Sequence, residues 1–451
     1  MKKIILLFLL IPFLINAQCW QKLSVSSTHS VAIKSDGTLW AWGYNQYGQL
    51  GIGTTVDKTT PVQVGSASDW WQVSTSGGNT VALKTNGTLW SWGQNNNGQL
   101  GDGSFNNRTT PTQVGVDTNW AYITNSPNGF HYAAIKTDGT LWTWGLNDQG
   151  QIGDGTTTNK NVPTQVGTAT NWALVSTGGF TTNAIKTDGT LWGWGYNAFG
   201  QIGDGTTTNR TTPVQIGTQT TWSKIDGGSY FTVALKSDGT LWAWGYNNFG
   251  QLGNGTTINR SSPTQIGTET TWQKVVAGSS QTLSIKQDGT LWSWGYNNHG
   301  QLGDGTLVNK SLPIQIGSNS DWQEIFSCGF RSSALNNNSN LYSWGLNTYG
   351  QLGDGTTIER TTPVQIICTP LSVEEFTSPD FMIFPNPTSS VLNVETYEHA
   401  IESIRVINLL GEQVIAENLD GQLNVSHLPK GMYILQITTE NKKYYLKFLK
   451  K

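Results

Sequence analysis

Gly37-Thr38-Leu39-Trp40-Ala41-Trp42-Gly43-Tyr44-Asn45-Gln46-Tyr47-Gly48-Gln49-Leu50-Gly51 decides the fold because it recurs. The string Gly-Thr-Leu-Trp-x-Trp-Gly ends at Gly43, Gly93, Gly145, Gly195, Gly245 and Gly295, and a seventh copy, Asn340-Leu341-Tyr342-Ser343-Trp344, ends at Gly345. The spacing is 50, 52, 50, 50, 50 and 50 residues. Each unit opens on a tryptophan (Trp20, Trp70, Trp120, Trp172, Trp222, Trp272, Trp322) and closes on a Pro-x-Gln-Val/Ile segment such as Pro61-Val62-Gln63-Val64. A period in this range is the signature of a repeat architecture.

Within a unit the pattern predicts four short strands. The first follows the opening tryptophan, as in Trp172-Ala173-Leu174-Val175, and the second is an apolar run such as Val31-Ala32-Ile33-Lys34. An Asp-Gly turn, as in Asp36-Gly37 or Asp138-Gly139, leads into the third, since both turn positions must tolerate positive φ. Trp40 and Trp42 stand two apart on that strand, so both indoles face the same side of the pleat. A glycine-rich loop leads to the fourth. A single four-stranded sheet cannot hide such a face, whereas seven sheets stacked radially can, leaving only short protected edges. Residues 19–368 are therefore expected to form an all-β, seven-bladed β-propeller.

The composition agrees. Of 451 residues only 12% are charged, against roughly 25% in an ordinary soluble protein, while glycine takes 53 positions and tryptophan 21, all between Trp20 and Trp344. A formal net charge of -3 argues against a nucleic-acid partner, whose affinity rests on basic surface. At the N-terminus, Met1-Lys2-Lys3, an apolar run over residues 4–15 and Asn16-Ala17 read as a signal peptide, residues 1–17, too short in its apolar part to span a bilayer. No transmembrane segment is expected in the mature chain.

The units resemble the regulator-of-chromosome-condensation repeat, a family of seven-bladed propellers. That resemblance implies a fold more than a function, since the family includes a guanine nucleotide exchange factor, a plant ultraviolet-B photoreceptor and a secreted bacterial β-lactamase inhibitor. After a linker at 369–380 the texture changes. Pro385-Asn386-Pro387, Leu409 to Gly411, Leu428 to Tyr433 and the final Lys450-Lys451 resemble the type A C-terminal sorting domain of the type IX secretion system. This implies a small β-sandwich over 381–451, a Gram-negative Bacteroidetes-like source, and a protein secreted or attached to the outer-membrane surface.

Comparing the seven units separates scaffold from variable positions. The recurring Asp102, Asp154, Asp204, Asp304 and Asp354 read as loop braces, because a residue repeated around a ring is not a unique active site. Lys58, Arg108, Lys160, Arg210, Arg260, Lys310 and Arg360 read as their local partners, with an anion-binding ring as the alternative. Two columns vary freely. One holds His29, Asn79, His131, Thr181, Phe231, Gln281 and Arg331; the other, just before the Gly-Gln step, holds Tyr47, Asn97, Gln149, Phe199, Phe249, His299 and Tyr349. The first-to-second and third-to-fourth strand connections emerge on one face, so both columns are expected on one rim, rich in aromatic and amide groups suited to a protein or glycan. Drift on exposed loops accounts for the same variation.

Cys19 and Cys368 fall three positions apart in repeat register and are expected to form a disulfide that closes the ring, with Cys328 a buried thiol. No metalloprotease, nucleophile-elbow, phosphate-loop or paired-cysteine motif is present, and glutamate within the repeats is limited to Glu269, Glu324 and Glu359. The expectation is a monomeric, non-enzymatic binder without cofactor or metal. It meets an unknown protein or glycan through one rim and the secretion machinery through residues 381–451. The runner-up readings are a β-lactamase-inhibitor-like binder, nucleotide exchange by family analogy, or an unrecognised hydrolase.

Overall fold

A computed structural model describes residues 20–125, 129–367, 381–396, 400–408, 413–415, 421–440 and 442–451. The expected signal peptide, residues 1–17, the expected Cys19–Cys368 disulfide, the expected linker 369–380 and the segment from Leu409 to Gly411 lie outside the described residues. The chain divides into two compact units at 368/369.

The first unit is seven four-stranded antiparallel sheets, each made from four consecutive strands in sequence order. In the first blade these are Trp20–Val25, His29–Lys34, Leu39–Gly43 and Lys58–Gln63. First strands of neighbouring blades contact one another around the axis, and Trp20–Val25 meets the last blade's Trp322–Cys328, so the ring is closed. Each fourth strand lies outermost, half exposed, and carries a proline (Pro61 in the first blade, Pro363 in the last), which spoils that edge for pairing with another chain.

Each element of the repeat has a local cause. Asp36 Oδ1 accepts from Thr38 N at 2.9 Å and Thr38 Oγ1 at 2.6 Å, and Trp40 Nε1 donates to that hydroxyl at 2.9 Å. The turn, threonine and first tryptophan are thus one hydrogen-bonded unit. The Gly-Gln-Leu/Ile-Gly loop is the clasp between blades. In six of the seven blades the second tryptophan donates its indole N–H to the glutamine carbonyl of the preceding blade's loop, as Trp92 does to Gln49 O at 2.9 Å and Trp244 to Gln201 O at 3.0 Å; Trp294 Nε1 has no such partner. A second-strand hydroxyl commonly shares that carbonyl, as Thr80 does Gln49 O and Thr232 does Gln201 O, both at 2.9 Å. The glutamine side chain folds back on its own loop, Tyr47 N donating to Gln49 Oε1 at 3.0 Å. Asn45 holds the loop at both ends, donating to Thr54 O and accepting from Leu50 N, each at 2.9 Å.

A lysine closes the second strand in six blades and lies over the tryptophans. Lys236 Nζ is 3.6 Å from the Trp242 ring centroid and 4.9 Å from that of Trp222. Such a cation–π pair in a half-dry site contributes roughly 1–2 kcal/mol. Asn336 takes the position in the seventh blade.

The second unit is a small sandwich. One sheet orders Phe381–Phe384, Val391–Thr396 and Gln422–Asn424; the other orders Gln413–Ile415, Ser403–Ile407, Gly431–Thr439 and Lys442–Lys450. Leu392, Val394, Ile404, Val406, Leu435, Ile437 and Phe448 form its core. Asn386 of the Pro-Asn-Pro motif joins the last strand, donating to Lys447 O at 3.0 Å and accepting from Leu449 N at 2.9 Å.

Candidate recognition rim

The loop aspartates are braces. Asp102, Asp154, Asp204, Asp304 and Asp354 pair with Arg108, Lys160, Arg210, Lys310 and Arg360, at 2.6 to 3.4 Å. Hydrogen bonds from Thr206 and Arg210 help hold the Asp204 carboxyl below the usual range against the opposing effect of burial, the largest single influence. The fifth blade has Asn254 in place of the aspartate, and there Arg260 Nε, buried, finds no hydrogen-bond partner.

The two variable columns part company. His29, Asn79, His131, Thr181, Phe231, Gln281 and Arg331 are not exposed on a rim: all seven are buried. They open the second strand; His29, His131, Gln281 and Arg331 reach across the seam to the next blade, while Thr181 Oγ1 donates to Tyr196 O of its own blade at 3.1 Å. His29 Nε2 meets Thr80 Oγ1 at 2.9 Å, His131 Nε2 meets Thr182 Oγ1 at 3.0 Å, and Gln281 Nε2 donates to Gly329 O at 3.0 Å. Burial drives the His29 and His131 pKa values down to about 3, with the Arg331 charge adding to the effect at His29, so both imidazoles are neutral. Their variation is variation of an internal joint, so none is a surface contact.

The second column does face solvent. Tyr47 and Tyr349 are exposed, at 37% and 38%, and Asn97, Gln149, Phe199, Phe249 and His299 are half-buried. The structure adds two neighbouring columns that the comparison of units passed over. One follows the Trp-Gly step (Tyr44, Tyr196, Tyr246, Tyr296); the other precedes the buried column (Phe180, Tyr230, Phe330). Both are visible in the repeat as aromatic residues set beside positions that vary.

Together these columns form an aromatic arc. Phe199 packs on Tyr246 at 4.9 Å between ring centroids, Phe249 on Tyr296 at 4.8 Å, and Tyr296 on Phe330 at 5.3 Å, each pair spanning a blade junction. Tyr349 meets Tyr44 at 4.7 Å across the closing seam. Offset and tilted contacts of this kind hold rings rigid while leaving faces exposed. A cavity of about 420 Å³ opens in the arc, lined by Phe180, Phe199, Tyr230, Tyr246, Phe249, Phe330, Gly179 and serines 229, 279 and 280. On blade two the equivalent surface is amide-rich, with Gln94 and Asn97, and blade three mixes Phe130 and Leu146 with Gln149.

A second, smaller cavity of about 130 Å³ lies among the first strands, with Asp226 in its lining. Asp226 accepts from Ser176 Oγ and Ala277 N, each at 2.8 Å, yet burial raises its pKa to about 6. Between the unfolded value of 3.8 and about 6 the folded state therefore binds a proton that the unfolded chain does not, and stability falls as pH rises through 6. The shift is worth about 3 kcal/mol at most. Lowering pH from 7.5 to 5 is expected to raise the denaturant midpoint of the native chain relative to Asp226→Asn, and parallel curves would contradict the assignment.

Among the described residues no group of three or more His, Cys, Asp or Glu stands close enough to hold a metal ion. Cys328 is buried, its thiol pushed up to about 12 chiefly by burial.

Seven consecutive four-stranded blades with a loop-to-indole clasp define a propeller of the regulator of chromosome condensation type. The sequence matches the RCC1-like domain over residues 130–318 and the RCC1 repeat over 36–83, 86–124 and 338–378, and residues 382–451 match the secretion system C-terminal sorting domain. The chain belongs to the RCC1-repeat proteins and carries a type IX sorting tail. Similar solved structures include Prp20p of Saccharomyces cerevisiae, 20% identical over 82% of this chain and 90% of that one, and human WBSCR16, 19% identical over 73% and 94%, each with a TM-score of 0.66. Among curated proteins, the ultraviolet-B receptor UVR8 of Arabidopsis thaliana is 50% identical over 36 residues, and Ras guanine nucleotide exchange factor C of Dictyostelium discoideum 32% identical over 53. Those matches span 8% and 4% of the relatives' own lengths.

Proposed function

We propose that this protein is an exported recognition propeller, released or held at the cell surface, which binds a protein or glycan through its aromatic rim and performs no chemistry of its own. The observation that carries this reading is the arc from Phe180 to Phe330: rings packed on one another, half-exposed, around a ligand-sized cavity. The scaffold does not require them, because blade two builds the same loops with Gly78, Gln94 and Asn97. Rigid aromatic faces give contact area at low entropic cost. The solved relative Prp20p is described with binding properties to Gsp1p and histones, which supports recognition as the use of such a scaffold. The sorting tail supports delivery to the outside of the cell.

Capture from culture medium together with a glycan array tests this. The chain is expected to retain a specific partner that is lost when Tyr47, Phe199, Phe249 and Tyr349 are all changed to alanine. Capture that survives all four changes overturns the rim assignment.

A further inference from the structure

We infer that the occupant of the arc is a neutral polysaccharide chain, bound by stacking of its sugar rings on successive blades. The inference rests on the rim reading and names its ligand class.

Three features select this chemistry. The groove lining contains no charged side chain, and His299, stacked beside it on Phe330, is paired with Glu359 at 2.8 Å. An anionic polymer or a charged peptide segment would be desolvated there without a partner, which is costly. The lining is also mixed in a particular way: Phe180, Phe199, Phe249 and Phe330 offer half-exposed rings, while Tyr230, Tyr246 and Ser280 carry hydroxyls. A pyranose has the matching division, since its C–H face carries a weak positive potential that meets the negative ring face, and its rim of hydroxyls takes hydrogen bonds. The surface repeats, too. Blade four presents Phe180, Tyr196 and Phe199, and blade five presents Tyr230, Tyr246 and Phe249 at the same positions. A receptor that offers the same ring set on two successive blades fits a ligand that offers the same face on successive residues. A homopolymeric glycan does this, whereas a peptide changes side chain at each step.

The full chain is titrated calorimetrically with hexasaccharides of β-1,3-glucose, β-1,4-glucose, β-1,4-mannose and β-1,4-xylose, with sulfated galactan as the anionic comparison and a proline-rich peptide as the peptide comparison. At least one neutral hexasaccharide is expected to bind more tightly than its trisaccharide. Phe249→Ala is expected to weaken it by about tenfold or more, while Phe249→Tyr retains binding and Asn97→Ala, on the amide side, changes it less than about twofold. Thermal unfolding of each variant separates lost contact from lost fold. Binding of the sulfated galactan or the peptide, with no response to neutral sugars, overturns the glycan inference but leaves the rim in place if Phe249→Ala abolishes it. The inference also falls if neutral sugar binds with no sensitivity to Phe249→Ala, or if none of the probes binds.

Discussion

Arg331→Met is expected to loosen the ring at the junction of the last and first blades, at a cost of about 3 kcal/mol. Arg331 is buried, and its guanidinium crosses the closing seam: Nε donates to Ser26 O at 2.6 Å and Nη1 to Ser30 Oγ at 2.7 Å, with further bonds to Gln351 O and His29 O. Burial pulls its pKa down to about 9, which still leaves it charged at neutral pH. Methionine keeps the aliphatic stem and removes every donor, so buried carbonyls of the first blade lose their charged partner. Charge-assisted bonds contribute roughly twice as much as neutral ones, and four together outweigh the relief of desolvating one cation less. Hydrogen exchange should show the loss first in the amides of Trp20–Val25 and His29–Lys34. Unchanged protection there would mean that the Trp42-to-Gln351 clasp, at 3.0 Å, holds the seam alone.

Gly203→Ala is the second large effect, again about 3 kcal/mol, through the clasp between blades four and five. Gly203 has φ of +90°, where a Cβ is strained by roughly 1–2 kcal/mol. The added carbon would also lie 2.6 Å from Trp244 Nε1, driving the indole off its 3.0 Å bond to Gln201 O. Overpacking of this sort costs a further 1–3 kcal/mol or so, roughly. Gly217→Ala is the control, with φ of +62° and nothing within 4 Å of the new Cβ. Urea unfolding followed by tryptophan fluorescence should place Gly203→Ala well below Gly217→Ala. Equal midpoints would remove the clasp from the account of what joins the blades.

These two residues also mark where reading the chain succeeds and where it stops. Gly203 was legible, because a glycine repeated every fifty residues or so beside a repeated tryptophan pair announces a backbone constraint. Arg331 was not. It occupies a column whose residues share no chemistry, and a column that varies looks like a loop surface until its burial is known. Variation at an internal joint is tolerated because each side chain needs only to suit the neighbouring blade: His29 takes Thr80, Gln281 takes Gly329, and Arg331 takes Ser26 and Ser30. For the same reason the rim was half legible. Phe199 and Phe249 stood out as variable and aromatic, but Tyr246 and Tyr296 join them only because neighbouring blades bring Phe199 beside Tyr246 and Phe249 beside Tyr296.

The repeat alone thus specified seven blades, the turn and loop chemistry within each and the loop braces, since all of these rest on contacts within a unit or on an identical contact made again at each junction; the appended sorting domain was legible separately from its own motifs. Which variable residues lie inside a seam and which face solvent, and that the exposed rings merge into one aromatic arc over blades four to seven, are properties of how unlike units meet. They depend on pairs from different repeats, and no period in the sequence records those pairs.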